Sequence, residues 1–329
     1  MLRFVVMRLL RAVSVLIVTS VVTFSMFFAL PADPALALCG KSCDTTKYER
    51  VKHTLGLDEP LVNQYGDYMK GIFVGRDLSA IAGGKFCEAP CLGYSFEQGE
   101  LVTDALKRTY PITLSLIIPA FILYLTFGIG LGVLAALKRG RAMDKFAVGL
   151  SLVGASSQIF TIGFILVFIF LVTLRISPPP SYTPLTEDPL KWASGLWMGW
   201  VALGFVSMAI HTRLSRAQML ETLSEDFVRT ARAKGLSMRK VYGKHALRAA
   251  LTPMVTQGGL EIGTLLGGAV ITETTTSVNG VGSLAVAAAR SGDLAVVMAT
   301  VLISAVFVVG FVIIVDVLYA VIDPRVKLS

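Results

Sequence analysis

The chain has 329 residues, 54% of them hydrophobic and 16% charged, with a formal net charge of +8 and a mean hydropathy of +0.70. Average soluble domains are less apolar and carry about 25% charged residues, so this composition excludes a disordered chain, a collagen-like fibre and a small disulfide scaffold. A basic balance alone fits nucleic acid or a membrane, and the placement of the charges decides between them.

A helix needs about 20 apolar residues to cross a hydrocarbon core about 30 Å thick. In chain order, residues 12–30, 109–137, 146–174, 192–210 and 294–315 are free of charge, and 251–272 is broken only by Glu261. Soluble helices need a polar face that these runs lack, so an all-α, polytopic protein with six membrane spans is expected. The first run comes after Arg3, Arg8 and Arg11 as in a signal peptide. It exceeds the usual apolar core of about 7–15 residues, and no clean small-x-small site lies beyond it, so it reads as an uncleaved first span. The expected organisation is an N-terminal end and first span at 1–30, an extracytoplasmic loop at 31–108, a five-helix core at 109–320 and a tail at 321–329.

Six spans put both termini on one side, and basic residues mark that side as cytoplasmic. Arg3, Arg8 and Arg11 precede span one, and four basic residues lie in Lys138-Arg-Gly-Arg-Ala-Met-Asp-Lys145. Nine more lie in the 212–252 connection, and Arg325 and Lys327 in the tail. These 18 basic residues stand against five acidic ones, Asp144, Glu221, Glu225, Asp226 and Asp323. The topology is therefore N-in, C-in in a cell membrane. The positive charge has a cause in the lipid bilayer, and nucleic acid is not an expected partner.

In the outer loop, Asp44 can cap a helix over 45–55, and Leu61, Tyr65, Tyr68, Met69 and Ile72 recur at helical spacing. Gly83, Gly84 and Pro90 interrupt the remainder of the loop. The loop can cap the outer mouth of the bundle, dock an external partner, or do both. Its cysteines form two C-x3-C pairs, Cys39/Cys43 and Cys87/Cys91. On the cytoplasmic side such pairs would point to zinc or iron–sulfur ligation; outside, disulfides are favoured. Four cysteines allow three pairings, and the spacing leaves them open. Gly40-Lys41-Ser42 imitates the end of a phosphate loop, but Ala35 stands where the earlier glycine is needed. Nucleotide chemistry is thus expected on another chain, and this chain is not expected to be an enzyme. His53, His211 and His245 are scattered, and no metal site is expected.

The cytoplasmic connection 212–252 is the most patterned segment. Ser224 is a suitable N-cap with Glu225 and Asp226 in the first turn; Phe227, Val228 and Ala231 form a small apolar face; Gly235 is placed to stop the helix in αL geometry. Ser237 can cap a second helix to Ala250, with Pro253 opening span five. The unit is either a solvated loop or a helix that docks into a groove on a cytoplasmic partner.

Asp226-Phe-Val-Arg-Thr-Ala-Arg-Ala-Lys-Gly-Leu-Ser237, with His245-Ala-Leu-Arg-Ala-Ala-Leu-Thr-Pro253, resembles the cytoplasmic EAA loop of ABC importer permeases, in particular their dipeptide/oligopeptide/nickel branch. Leu30-Pro-Ala-Asp-Pro34 is similar to the family's L-P-G-D-P, and Leu55-Gly-Leu-Asp-Glu-Pro-Leu61 with Tyr65 to its external G-L-D-x-P-L…Y. Gly267-Gly-Ala-Val-Ile-Thr-Glu273, Gly280-Val-Gly-Ser-Leu284 and Asp316-Val-Leu-Tyr319 with Asp323-Pro-Arg325 resemble its C-terminal signatures. The resemblance implies a type I ABC importer permease fold, pairing with a second homologous permease, two cytoplasmic ATPase subunits that hold ATP and Mg, and an extracytoplasmic substrate-binding protein. It implies no cofactor on this chain. It makes Asp226, Phe227, Val228, Arg229, Thr230, Ala231, Arg232, Ala233, Lys234 and Gly235 a coupling helix that fits a cleft on the ATPase. The chain departs from the family at Thr276 and Asn279, where Phe and Pro are usual, and at Ser157-Gln158-Ile159, where a Ser-Ile-Pro break is usual.

Acids inside spans are costly and usually face a cavity or a partner. Glu261, among Gly258, Gly259 and Gly263, is the substrate-path candidate, equally readable as a satisfied helix–helix contact; Glu273 borders the same span, and Asp316 is readable as an anchor. The expected function is the permease subunit of an ATP-driven importer of di- or oligopeptides or a similar small solute. The alternatives are a secondary transporter driven by an ion gradient, whose related halves are not visible here, and a non-transporting membrane anchor or sensor.

Overall fold

A computed structural model describes residues 2–28, 35–36, 43–54, 56–82, 84–95, 97–266 and 269–322, with side chains over 6–26 at one end and as far as 315 at the other. The 30–34 motif, Cys39, Gly40-Lys41-Ser42, Gly267, Gly268, the side chains of Asp316 and Tyr319, and the 323–329 tail lie outside the described residues.

The elements run α1 (Leu2–Phe28), α2 (Thr45–Thr54), α3 (Leu61–Val74), β1 (Tyr94–Ser95), β2 (Glu100–Leu101), α4 (Val102–Leu137), α5 (Ala142–Ser156) and α6 (Ile159–Leu166), which continues as π-helix over Val167–Thr173. Then come α7 (Pro189–Ser224), α8 (Asp226–Ala233), α9 (Met238–Lys240), a π-helical turn Val241–Ala246, α10 (Leu247–Leu266), α11 (Val270–Thr275), α12 (Val281–Ser291) and α13 (Leu294–Ile322). Among the described residues, four helices are long and apolar enough to cross a membrane: Val6–Met26 within α1, α4, α7 and Leu294–Val315 within α13. The pair Ala142–Ser156 and Ile159–Thr173 makes a fifth when counted as one bent span. The stretch expected at 251–272 divides between α10 and α11. Pro253, Gln257 and Glu261 dilute its hydropathy, and α10 is long enough to cross at about 1.5 Å per residue.

The chain divides into two compact bodies, one of Met1–Thr113, Leu266–Val270 and Asn279–Gly310, the other of Leu114–Leu265, Ile271–Val278 and Phe311–Ser329. In the first, residues 51–106 share a core with α12 and α13: Val51, Leu92, Val102 and Leu106 pack with Val281, Leu284, Val296 and Ala299. The hairpin pairs antiparallel, Tyr94 with Leu101 and Ser95 with Glu100. Ser95 donates its hydroxyl to Asp293 Oδ2, and Asp293 Oδ1 accepts from the Val296 N–H at 3.3 Å, capping α13. Gly292, at φ 78°, ends α12 just before it. Thr113 Oγ1 accepts from the Val281 N–H at 2.8 Å and so satisfies one donor at the start of α12. Cys87 and Cys91 are joined to each other, Cα to Cα 5.4 Å, and lie buried beside Leu78 and Ala82. Cys43 is also in a disulfide.

In the second body, α7 is the axis. Asp188 caps it by accepting from the Leu190 and Lys191 N–H groups, both at 3.1 Å, and Pro189 takes the first helical position. The bond from the Lys191 backbone helps hold the Asp188 carboxyl below the usual carboxylate range. Small residues let neighbours press close, as in membrane helix pairs generally. A Cβ on Gly132 of α4 would stand 2.5 Å from both Thr212 O and Ser215 Cβ; one on Gly128 would stand 2.8 Å from His211 Cβ; one on Gly154 of α5 would stand 2.6 Å from Ala209 Cβ.

The charge-free run 146–174, expected as one span, bends by 99° between α5 and α6. Ser157 and Gln158 are both extended, with ψ 144°. The bend therefore forms at the family's break position without its proline. Ser157 directs its hydroxyl to Val153 O at 2.8 Å, a local bond that competes with helix continuation.

Gly132→Leu should force α4 off α7 and destabilise the protein by about 1–3 kcal/mol, the usual cost of overpacking. Gly130→Ala, which meets open space, should be neutral or stabilising by up to about 1 kcal/mol. Thermal melting of the two purified variants in detergent compares them directly.

Candidate functional site

The 212–252 segment differs in detail from its sequence pattern. Ser224 is the last residue of α7 rather than a cap, and it donates its hydroxyl back to Glu221 O at 2.7 Å. Glu225, extended at ψ 148°, separates α7 from α8. The αL stop is where the glycine stands: Gly235 has φ 73°. Its N–H donates to Arg232 O at 2.9 Å, and the Leu236 N–H donates to Ala231 O at 3.4 Å. These two bonds are the paired closure of a Schellman motif. The second helix does not stop before Pro253: α9, the π-turn and α10 run on without a break, and Pro253 lies inside α10. With no N–H at 253, the Ala249 carbonyl loses its helical donor there.

The two faces of α8 have different tasks. Val228 and Ala231 are buried in a cluster with Ala136, Met219, Val241, Ala246, Ala250 and Met254, which seats the helix on α4, α7 and α10. Arg232 lies over the Tyr242 ring at 5.7 Å, a cation–π contact that adds to the seat. Asp226, Phe227, Arg229, Thr230, Ala233, Lys234 and Gly235 are exposed. Phe227 is 45% exposed, and Leu236 and Met238, after the Gly235 turn, are exposed as well. Arg229 approaches Asp226 at 3.6 Å, and Thr230 donates to Asp226 O at 2.9 Å. The result is a short, rigidly seated helix that presents an aromatic ring among cations.

Above this seat, Arg216 of α7 grips Asp144 of α5 with two bonds, Nε to Oδ1 at 2.6 Å and Nη2 to Oδ2 at 3.0 Å. The Gly140 N–H adds a third at 2.8 Å. This pair ties the α4–α5 connection to the part of α7 that leads into α8.

Glu261 sits opposite α7. Ser207 donates its hydroxyl to Glu261 Oε1, and His211 Nδ1 lies 2.9 Å from Ser207 O and 3.6 Å from Glu261 Oε2. A carbonyl can only accept, so Nδ1 carries a proton. The His211 ring is fully buried and packs against Tyr124 at 5.0 Å between centroids. The Glu261 side chain keeps 18% exposure, and Gln257, Leu260 and Thr264 on the same face of α10 are exposed. Glu273 differs in being fully buried. Ser207 and His211 carry no signal in the sequence, because their role depends on α10 lying opposite. Their spacing of four residues shows only that they share a face.

Residues 1–117 match the family described as binding-protein-dependent transport system membrane component, N-terminal. Residues 128–328 match that of the binding-protein-dependent transport system inner membrane component. The chain is 35% identical over 348 residues to a di/tripeptide transport system permease of Pseudomonas aeruginosa, with 99% of each chain covered. It is 34% identical over 351 residues to the dipeptide transport system permease of Escherichia coli, again with 99% of each covered. Among solved structures, an inward-facing methionine ABC transporter matches with a TM-score of 0.53 at 17% identity, covering 67% of this chain and 97% of that one. That likeness carries the fold, which is the type I ABC importer permease fold.

Val228→Ala should loosen the seat of α8 and lower stability by about 1–3 kcal/mol through cavity formation. Phe227→Ala, on the exposed face, should stay within about 0.5 kcal/mol of the parent. Melting of each variant in the same detergent reads the difference.

Proposed function

Because the chain belongs to the family of binding-protein-dependent transport system inner membrane components, we propose that it is the pathway-forming permease subunit of an ATP-driven importer of di- and oligopeptides. The observation that carries this reading is α8, with one face locked into the helix bundle and the other presenting Phe227, Arg229 and Lys234 outward. The partners are a second homologous permease, two cytoplasmic ATPase subunits that bind ATP and Mg, and an extracytoplasmic substrate-binding protein. The Pseudomonas and Escherichia relatives are peptide permeases, which supports the cargo class. The ion-gradient alternative has no comparable support.

The proposed topology has six spans: α1, α4, the bent α5–α6 pair, α7, α10 and α13. Both termini are cytoplasmic, in keeping with the basic residues of the 138–145 and 212–252 connections. ATP-driven closure of the ATPase pair moves the two α8 helices as rigid bodies. α7 carries that motion from Glu225 toward Ser207 and His211, and α10 carries it toward Glu261. Gln257 and Thr264, both exposed, and the partly exposed Glu261 form a polar stripe on a membrane helix. Lipid is a poor environment for such a stripe, so it lines the translocation path or meets the second permease. Ser207 and His211 position the Glu261 carboxylate on that face.

At Gly235 a side chain meets open space, but the backbone is left-handed at φ 73°, and a β-branched residue there is strained by about 1–2 kcal/mol. Gly235→Val should therefore lower uptake by about tenfold while the subunit still assembles and its ATPase partners still turn over. Gly235→Asn, which tolerates this geometry, should retain most uptake. Vesicles holding the complete transporter, assayed for ATP hydrolysis and for radiolabelled peptide uptake, read both. Unchanged uptake in Gly235→Val would count against α8 as the coupling element.

A further inference from the structure

The first body holds an open cleft of about 700 Å³ between the β1–β2 hairpin, the first turns of α4 and the start of α12. At its rim Arg108 and Glu100 form a two-pronged ion pair, Nη2 to Oε1 at 2.7 Å and Nη1 to Oε2 at 3.1 Å. Arg108 is 61% exposed and Glu100 26%, and so exposed a pair contributes little to stability. Both members are nonetheless held on fixed scaffolding. Glu100 is in register with Ser95, which is bonded to Asp293, and Arg108 stands on the second turn of α4.

The remaining polar groups of the cleft divide by type. Gln98 and Asn279 bring amide groups that can donate. Thr109 and Ser283 spend their hydroxyl protons on Ala105 O at 3.0 Å and Gly280 O at 2.8 Å. Ile112 and Leu284 form an apolar floor. Asn279 is the position at which the family usually has proline, so this chain places an amide in the cleft where a ring would leave no donor.

We infer that this cleft is a receiving site for the charged ends of a short zwitterionic peptide, with Arg108 taking the α-carboxylate and Glu100 the α-ammonium. The inference rests on the proposed peptide cargo and on the proposed topology, which puts the cleft on the outer side. One cation and one anion match a zwitterion of zero net charge. An exposed pair opens readily, and each member gains a charge-assisted partner of the ligand in exchange. The floor carries no group that selects one side chain over another, so the site reads the ends of the peptide and tolerates its sequence.

Equilibrium binding of radiolabelled dialanine to the complete transporter in lipid nanodiscs, without binding protein or nucleotide, tests this. The wild type should bind saturably, and dialanine amide and N-acetyl-dialanine should compete at least about tenfold more weakly than dialanine, since each lacks one charge-assisted contact. Arg108→Gln should abolish the discrimination against the amide and Glu100→Gln that against the N-acetyl compound, each weakening dialanine binding. The swap Arg108→Glu with Glu100→Arg keeps one cation and one anion at the rim and should bind dialanine in the reversed sense, retaining discrimination against both blocked peptides. No saturable binding by the wild type, equal competition by the blocked peptides, or unaltered binding in both single variants would overturn the inference. Dialanine uptake by wild-type vesicles with binding protein and ATP separates the two levels. Uptake with an insensitive cleft sinks this site alone; no uptake of any di- or tripeptide sinks the peptide-import reading.

Discussion

In hydrocarbon no water is available to a peptide group, so each backbone N–H and C=O must find its partner within the protein. The main features of the core stem from that constraint. Long helices satisfy the ladder internally, and where a helix breaks, the freed groups are taken up locally. At the α5–α6 bend the Ser157 N–H turns back to Gly154 O at 3.2 Å, and Gln158 O accepts the Ile162 N–H at 3.2 Å to start the next helix. At the start of α12 the Thr113 hydroxyl accepts the first free N–H. Because hydrophobic pressure between helices is weak in lipid, close contact depends on small residues. Gly128, Gly132 and Gly154 let α4 and α5 approach α7 to distances that a Cβ would forbid.

The same constraint makes α7 a lever. It runs unbroken from Pro189 to Ser224, and His211 and Ser224 are 13 residues apart on it, or about 20 Å of helix. The Glu261 cluster and the seat of α8 thus share one stiff element. The Arg216–Asp144 pair extends the connection to α5. α8 is bounded by extended Glu225 on one side and left-handed Gly235 on the other. α8 itself is pinned by Val228 and Ala231.

The segment that precedes α4 is built differently. It is made of short helices, a two-residue hairpin and the Cys87–Cys91 bridge, and it takes its core from α12 and α13. The bridge closes a turn of four residues and therefore removes little chain entropy. Anchorage comes from Asp293, which caps α13 and also takes the Ser95 hydroxyl. The hairpin that carries Glu100 is fixed in this way to the helices that border the cleft.

Charge-free runs, basic connections and the EAA-like segment were legible in the chain because each is local: hydropathy, topology and helix stops depend on neighbours within a few residues. Gly235 was readable as an αL stop, since only glycine enters that region without penalty. The error at Ser224 has the same origin in reverse. A capping residue signals a helix start, but α7 continues through it, held by Met219 and its packing against Val228 and Met254. The bend within 146–174 falls at Ser157-Gln158, a position the resemblance marked as a break, whereas the continuity of the helix through Pro253 runs against local propensity. His211 and Ser207 were silent because their approach to Glu261, 50 and 54 residues further along the chain, exists only once α7 and α10 face each other. Arg108 and Asn279 were likewise silent, 171 residues apart until the hairpin and α12 border one cleft. The sequence by itself determined the apolar runs, the clustering of basic residues in the 138–145 and 212–252 connections and the helix stop at Gly235. Tertiary structure alone decided which polar groups meet, because that depends on contacts between elements that no local pattern encodes.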